Sequence, residues 1–271
     1  MKPFIFTDLD ATMLDEDTFS CWPILETIRA IDRSGIFIIP NTSKTEWETK
    51  RFLESVALKV PFAIENGAKF IWPRENECFE SSTPRNFVFG TPVAEIERRW
   101  ATSDLADLKN HFRLLDTLER THQETILGLT SQDLRQCLER EYSQLFVSNA
   151  QFRTTSDLFK SLHSNGLKLS RGGRVFTLSG LHDKSGPIHY VRAFYKKLNK
   201  EPPPIIAIGD GENDEEMLRA ADIPCVIPRK NGYCLTLPGS LRPIYAPDPA
   251  PFGWRYAAKK ALERLTINIK T

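Results

Sequence analysis

The stretch Pro204-Ile205-Ile206-Ala207-Ile208-Gly209-Asp210-Gly211-Glu212-Asn213-Asp214 decides the fold. Its uninterrupted apolar run predicts a strand buried on both faces, as in a parallel sheet. The run opens directly into glycines and acids, and a helix is expected over 214–221. Working outward, the same alternation recurs. An apolar run at 2–7 is followed by a helical pattern over 22–33, with Ile24, Leu25, Ile28 and Ile31 on one face and Gly35 as the stop. Ile36-Phe37-Ile38-Ile39 reads as a second two-face-buried strand, and 45–58 as a second amphipathic helix. Later come a helix over 185–198, a strand at 225–227 and a final helix over 254–265. Strands alternating with helices predict a doubly wound, Rossmann-like α/β sheet, with ligands outside the carboxyl ends of its strands.

Between these halves the pattern changes. Around 80–84 the composition shifts to Ser, Thr and Pro, read as a junction. From there to about 181, short strands and helices succeed one another as a self-contained α+β insert, the first strand being Phe87-Val88-Phe89. The expected organisation is a core of 1–82 and 182–271 around an inserted domain of 83–181.

Composition narrows the possibilities. The chain has 271 residues, 41% hydrophobic and 26% charged, at formal net charge +1. That near-balance gives no electrostatic case for nucleic acid or an anionic membrane. No run approaches the ~20 apolar residues of a membrane helix, and no secretion-signal pattern is read at the N-terminus. The five cysteines (Cys21, Cys78, Cys137, Cys225 and Cys234) are scattered without a C-x-x-C pair, so they read as reduced apolar filler and suggest a cytoplasmic protein.

The first strand ends in Thr7-Asp8-Leu9-Asp10-Ala11-Thr12. Two carboxylates two positions apart project the same way from an extended chain. Alone, D-x-D also fits glycosyltransferases, calcium loops and acidic surfaces. A calcium loop starting at Asp8 fails, because Met13 and Phe19 stand where Gly and Glu are needed. The Gly209–Asp214 turn supplies further oxygen ligands of the kind a Mg²⁺ site uses. It also reads as a helix-capping turn with Asn213 or Asp214 as the cap, and the two readings are compatible. Pro40-Asn41-Thr42-Ser43-Lys44 puts hydroxyls and backbone N–H groups at a helix start, where an anion is favoured. Lys184 begins the helix after the insert. His182 and His189 have no second His or Cys at ligand spacing and read as structure.

In this order, Asp8–Thr12, Thr42, Lys184 and Gly209–Asp214 resemble the four motifs of the haloacid dehalogenase-like phosphatases, and the insert resembles their C2-type cap. Thr42-Ser43-Lys44-Thr45, Glu65-Asn66-Gly67-Ala68, Arg171-Gly172-Gly173-Arg174 and Pro251-Phe252-Gly253-Trp254 resemble the mannosyl-3-phosphoglycerate phosphatase branch. Ala11 departs from the glycine usual there. The resemblance implies a phospho-aspartate on Asp8, with Asp10 as general acid and base. It implies Mg²⁺ held by Asp8, Asp10 (through its carbonyl), Asp210 and Asp214, supported by Asn213. Leu9, Thr42, Ser43 and Lys184 would bind phosphate. Arg171, Gly172, Gly173 and Arg174 would recognise substrate, a role weighed evenly against a β-turn with exposed arginines; Lys44 and Glu65 are weaker candidates. The implied substrate is a small phosphorylated sugar or glycosyl-glycerate. Alternatives are glucosyl-3-phosphoglycerate or sucrose phosphate hydrolysis, a phosphomutase, or a non-catalytic ligand-binding relative.

Overall fold

The computed structural model describes residues 1–73, 86–103, 105–129, 131–148, 156–171 and 175–269. In chain order the elements are β1 (Phe4–Thr7), α1 (Leu25–Arg33), β2 (Phe37–Pro40), α2 (Glu46–Ser55), β3 (Phe62–Ile64), β4 (Lys69–Ile71) and β5 (Asn86–Val88). There follow α3 (Val93–Thr102), α4 (Ala106–His111), β6 (Phe112–Leu114), α5 (Arg120–Leu127), α6 (Ser131–Leu138), β7 (Ser143–Ser148), α7 (Ser156–Ser164), β8 (Lys168–Arg171) and β9 (Phe176–Ser179). The chain ends with α8 (Gly186–Lys197), β10 (Ile205–Gly209), α9 (Glu215–Ala220), β11 (Ile223–Val226), β12 (Ile244–Tyr245) and α10 (Phe252–Arg264).

Two compact units emerge. The first comprises Met1–Ser43, Thr49–Val88 and Asp183–Thr271; the second comprises Lys44–Glu48 and Phe89–His182. In the first, five strands pair in parallel in the order β12-β11-β10-β1-β2. The period-two geometry of a strand explains why their sequences are apolar throughout. On β1, Ile5 enters one apolar layer and Phe4 and Phe6 the other; on β10, Ile206 and Ile208 face the first, Ile205 and Ala207 the second. Helices α1 and α10 cover the first face through Ile28, Ile31, Trp254, Ala257, Ala258 and Ala261. Helices α8 and α9 cover the second through Ile188, Val191, Met217 and Leu218. This is the expected doubly wound sheet.

The register fixes the business edge. Thr7 lies opposite Ile208 and Pro40, and Gly209 opposite Val226. The loops after β1, β2, β10 and β11 therefore leave the sheet side by side. A second sheet, β3-β4-β5, is antiparallel. Its first hairpin turns through Glu65, Asn66 and Gly67, all at positive φ, so the triplet is a turn, as its residue types predict. Gly67 is required there: a Cβ would lie 2.3 Å from the Asp183 carbonyl oxygen. Asn86–Val88 pairs with β4 in this unit, where the sequence pattern had put it at the start of the insert. An edge strand of three residues carries too little periodicity to reveal its partner.

The second unit is α+β, with a four-stranded antiparallel sheet ordered β6-β7-β9-β8. Ile96, Leu108, Phe112, Phe146, Leu162 and Leu178 are among the residues of its own core. The α5 segment was not expected from the sequence, because its first six residues are polar. Gln123 explains its docking: its amide donates to the carbonyls of Leu115, Asp116 and Leu118. No described helix is long and apolar enough to cross a membrane.

Candidate active site

The site is assembled at the carboxyl ends of β1, β2 and β10. The backbone N–H of Asp8 donates to Ile208 O at 3.0 Å, carrying the β1–β10 pairing one residue beyond the strand. Trp254 on α10 donates Nε1–H to Thr7 Oγ1 at 2.9 Å, and Thr7 Oγ1 donates to Asp8 O at 2.7 Å. The Pro251–Trp254 segment thus braces the carboxyl tip of β1, next to Asp8. The chain then turns tightly, with Thr12, Met13 and Leu14 N–H all donating to Leu9 O. The Leu9 side chain is in the core. Ala11 sits at φ +58°, a left-handed conformation that glycine adopts without steric cost.

Lys184 is the centre of the cluster. It is 0% exposed, and its Nζ lies 2.8 Å from Asp8 Oδ1 and 2.6 Å from Asp214 Oδ1. The other Asp214 oxygen accepts the backbone N–H groups of Asp210 (2.9 Å) and Gly211 (3.0 Å). Asp214 thus ties the acidic turn to the lysine; it stands at the N-cap of α9, as expected, with its carboxylate bonded back to the turn, Gly211 N–H included, and not forward to the helix. Gly209 makes it possible, since a Cβ there would fall 2.5 Å from Asp214 Cβ. Asp210 Oδ1 accepts from Thr12 Oγ1 at 2.5 Å, and Arg229 Nε lies 2.6 Å from Asp210 Oδ2. Asn41 Nδ2 donates to the Lys184 carbonyl at 2.7 Å. Thr42 is buried at the end of β2, its N–H bonded to Ala63 O and its carbonyl to Asn66 N–H. Ser43 follows, half-buried.

The electrostatics follow from burial. Desolvation pushes the Asp8 carboxyl up to about 8; Lys184 opposes this, while Asp214 and Asp210 add to it. Asp210 is pushed up to about 6 by burial and by Asp214, against Arg229 and Thr12. Burial alone would lower Lys184, but Asp214 and Asp8 outweigh it and hold the ammonium charged.

Asp8, Asp210 and Asp214 offer carboxylate oxygens within 4.8 Å of one another. This all-oxygen set suits a hard divalent cation. The upward push on Asp8 and Asp210 fits as well, because it marks a buried cluster short of positive charge. Asp10 does not join with its carboxylate; it lies in the turn after β1, bridged to Leu14. Asn213 reaches Asn66 Oδ1 at 3.4 Å. Glu65 is buried in the β3–β4 turn. In the inserted unit, Arg171 ends β8, exposed, with its guanidinium 5.9 Å from the Phe176 ring centroid. Gly172, Gly173 and Arg174 lie outside the described residues.

The sequence did not single out Thr12 or Arg229. Thr12 was inside the quoted motif, and Arg229 falls just past the end of β11, so strand-end position was the available signal.

A family model for haloacid dehalogenase-like hydrolases matches residues 182–231, which contain Lys184, Asp210 and Arg229. A glucosyl-3-phosphoglycerate/mannosyl-3-phosphoglycerate phosphatase of Persephonella marina is 26% identical, covering 96% of this chain and 97% of its own length. A protein of the same name from Methanococcoides burtonii is 29% identical, covering 86% and 87%. A Bacteroides thetaiotaomicron phosphatase of the haloalkanoate enzyme superfamily shares the fold, with a TM-score of 0.62 at 17% identity over 99% of this chain and 96% of its own. With the ordered motifs meeting at one sheet edge, these likenesses point the same way: the chain is similar to the haloacid dehalogenase-like hydrolases and, over most of its length, to relatives named as phosphatases.

Proposed function

We propose that the protein hydrolyses mannosyl-3-phosphoglycerate to mannosylglycerate and phosphate, using Mg²⁺ and a phospho-aspartate on Asp8. The observation that carries the reading is the convergence of Asp8, Asp210 and Asp214 around the buried Lys184. Asp8 Oδ attacks phosphorus as the bond to the glycerate 3-oxygen breaks, and Asp10 gives that oxygen its proton. Water, losing a proton to Asp10, then attacks the acyl phosphate and regenerates the Asp8 carboxylate. Thr42, Ser43, Lys184 and the Leu9 backbone hold phosphoryl oxygens as negative charge accumulates on them. Asp8, Asp210, Asp214 and the Asp10 carbonyl would hold the ion, with Asn213 supporting the turn. When bound, Mg²⁺ supplies positive charge opposite the carboxylates and the phosphate. Arg171, Gly172, Gly173 and Arg174 would recognise the carboxylate or sugar, for which a guanidinium fork is suited.

Glucosyl-3-phosphoglycerate is a second substrate reading, favoured by the double names of the two relatives. Phosphate release from a panel of glycosyl-phosphoglycerates and sugar phosphates, with Mg²⁺ and with chelator, tests the proposal. Mannosyl-3-phosphoglycerate should rank first and chelator should stop turnover. Low rank for both glycosyl-phosphoglycerates would remove the substrate reading. Asp8→Asn should lose roughly a thousandfold or more in turnover; retained activity would remove the covalent route.

A further inference from the structure

We infer that Arg229 is the resident counter-ion of Asp210, and that it yields this carboxylate to the divalent cation, so that Arg229 sets how tightly the site takes its metal. The inference rests on the metal-dependent reading above. The two cations of the cluster differ in access. Lys184 is 0% exposed and bonded to two buried carboxylates, whereas the Arg229 side chain is 25% exposed and, among the described residues, forms its ion pair with Asp210 alone. Withdrawing Lys184 would strand charge in the interior; Arg229 can exchange into water.

The approach of Arg229 is built into the chain. Gly211 leaves the space, since a Cβ there would sit 2.6 Å from the guanidinium Nη2. The Arg229 N–H donates to Tyr233 O at 2.8 Å, and Gly232 N–H donates back to Arg229 O at 3.0 Å, closing a turn. The neighbouring Lys230 clasps Asp15 Oδ2 at 2.8 Å and Asp17 Oδ2 at 2.7 Å. The backbone is thereby anchored, and a change of partner need involve only the side chain. The Tyr233 ring, with its centroid 5.3 Å from Arg229 Cζ, offers the guanidinium a second contact. With Thr12 on Oδ1 and Arg229 on Oδ2, both Asp210 oxygens already have donors. The guanidinium cannot shed its charge. A divalent cation reaching Asp210 therefore meets a fixed positive charge and a competitor for lone pairs.

Titration with Mn²⁺, reading the free ion by electron paramagnetic resonance, tests this. Arg229→Gln should bind Mn²⁺ on the order of tenfold more tightly than the native protein, since one opposing unit charge is removed close to the ion. Equal or weaker binding by Arg229→Gln, with native binding intact, would overturn the inference and leave the metal reading standing. Absence of Mn²⁺ binding in both proteins would overturn both. A second measurement needs no folded variant: in the native protein, the Arg229 Nε–H signal should show slow solvent exchange in chelator and fast exchange at saturating Mg²⁺. Protection that persists under Mg²⁺ would overturn the displacement.

Discussion

Two ion-pair clusters in this chain use the same chemistry to different ends. In the inserted unit, Glu95 pairs with Arg98 at 2.7 Å and with Arg99 at 2.8 Å on one face of α3, with side chains about a third to two thirds exposed. In the core unit, Lys184 pairs with Asp8 and Asp214 at similar distances, with no exposure of the lysine. Distance alone does not separate them; burial does. Water screens the helix cluster and competes for its hydrogen bonds, so such pairs add little. Lys184 and its partners are buried, so each charge depends on the others and on the backbone that holds them.

The comparison can be broken at several points. The largest effect is expected from Lys184→Met, which leaves Asp8 and Asp214 buried without their cation. Chemical denaturation should show a loss of about 3–5 kcal/mol and phosphatase turnover should vanish; a near-native midpoint would mean that the cluster is solvated after all.

Next is pH. Asp8 and Asp210 have raised folded values, so between about pH 4 and pH 8 the native state binds more protons than the unfolded chain. Stability in chelator should fall as pH rises through that window. Lys184 is shifted upward and remains charged throughout, so it does not reverse the sign. Thermal melts at several pH values check this, and saturating Mg²⁺ should flatten the slope.

Ala11→Gly should stabilise by about 0.5–1 kcal/mol, because the left-handed strain is relieved while some unfolded-state entropy is gained. The smallest effect belongs to Glu95→Gln. Arg98 and then Arg99 hold that carboxyl down at about 2, yet its exposure predicts a melting midpoint within the scatter of replicates. A marked drop would erase the contrast between the two clusters.

Most of the core and the acids of its site were legible in sequence. Ile205–Gly209 is apolar on both faces because helices cover both, and Gly209 stands where Asp214 must pack close. Register then carries Asp8 beside Asp210. Partner choice was not legible. Thr12 meets Asp210 across 198 positions and Arg229 meets it across 19, and both contacts depend on β11, β10 and β1 being neighbours in that order. In the inserted unit, α5 escaped notice for another reason: it is anchored by one glutamine amide more than by an apolar stripe.

The bond from Trp254 to Thr7 has a consequence for the order of events on the ribosome. Strands β1 and β2 both precede residues 89–182 of the inserted unit and can pair before that segment is made. Strand β10, the other neighbour of β1, and the indole at the β1 tip are translated only after the whole inserted unit. Since nascent domains fold as units from the N-terminus, the inserted unit has all its strands before the sheet of the core closes. Asp8 is made ahead of the whole inserted unit and locked in place only behind it.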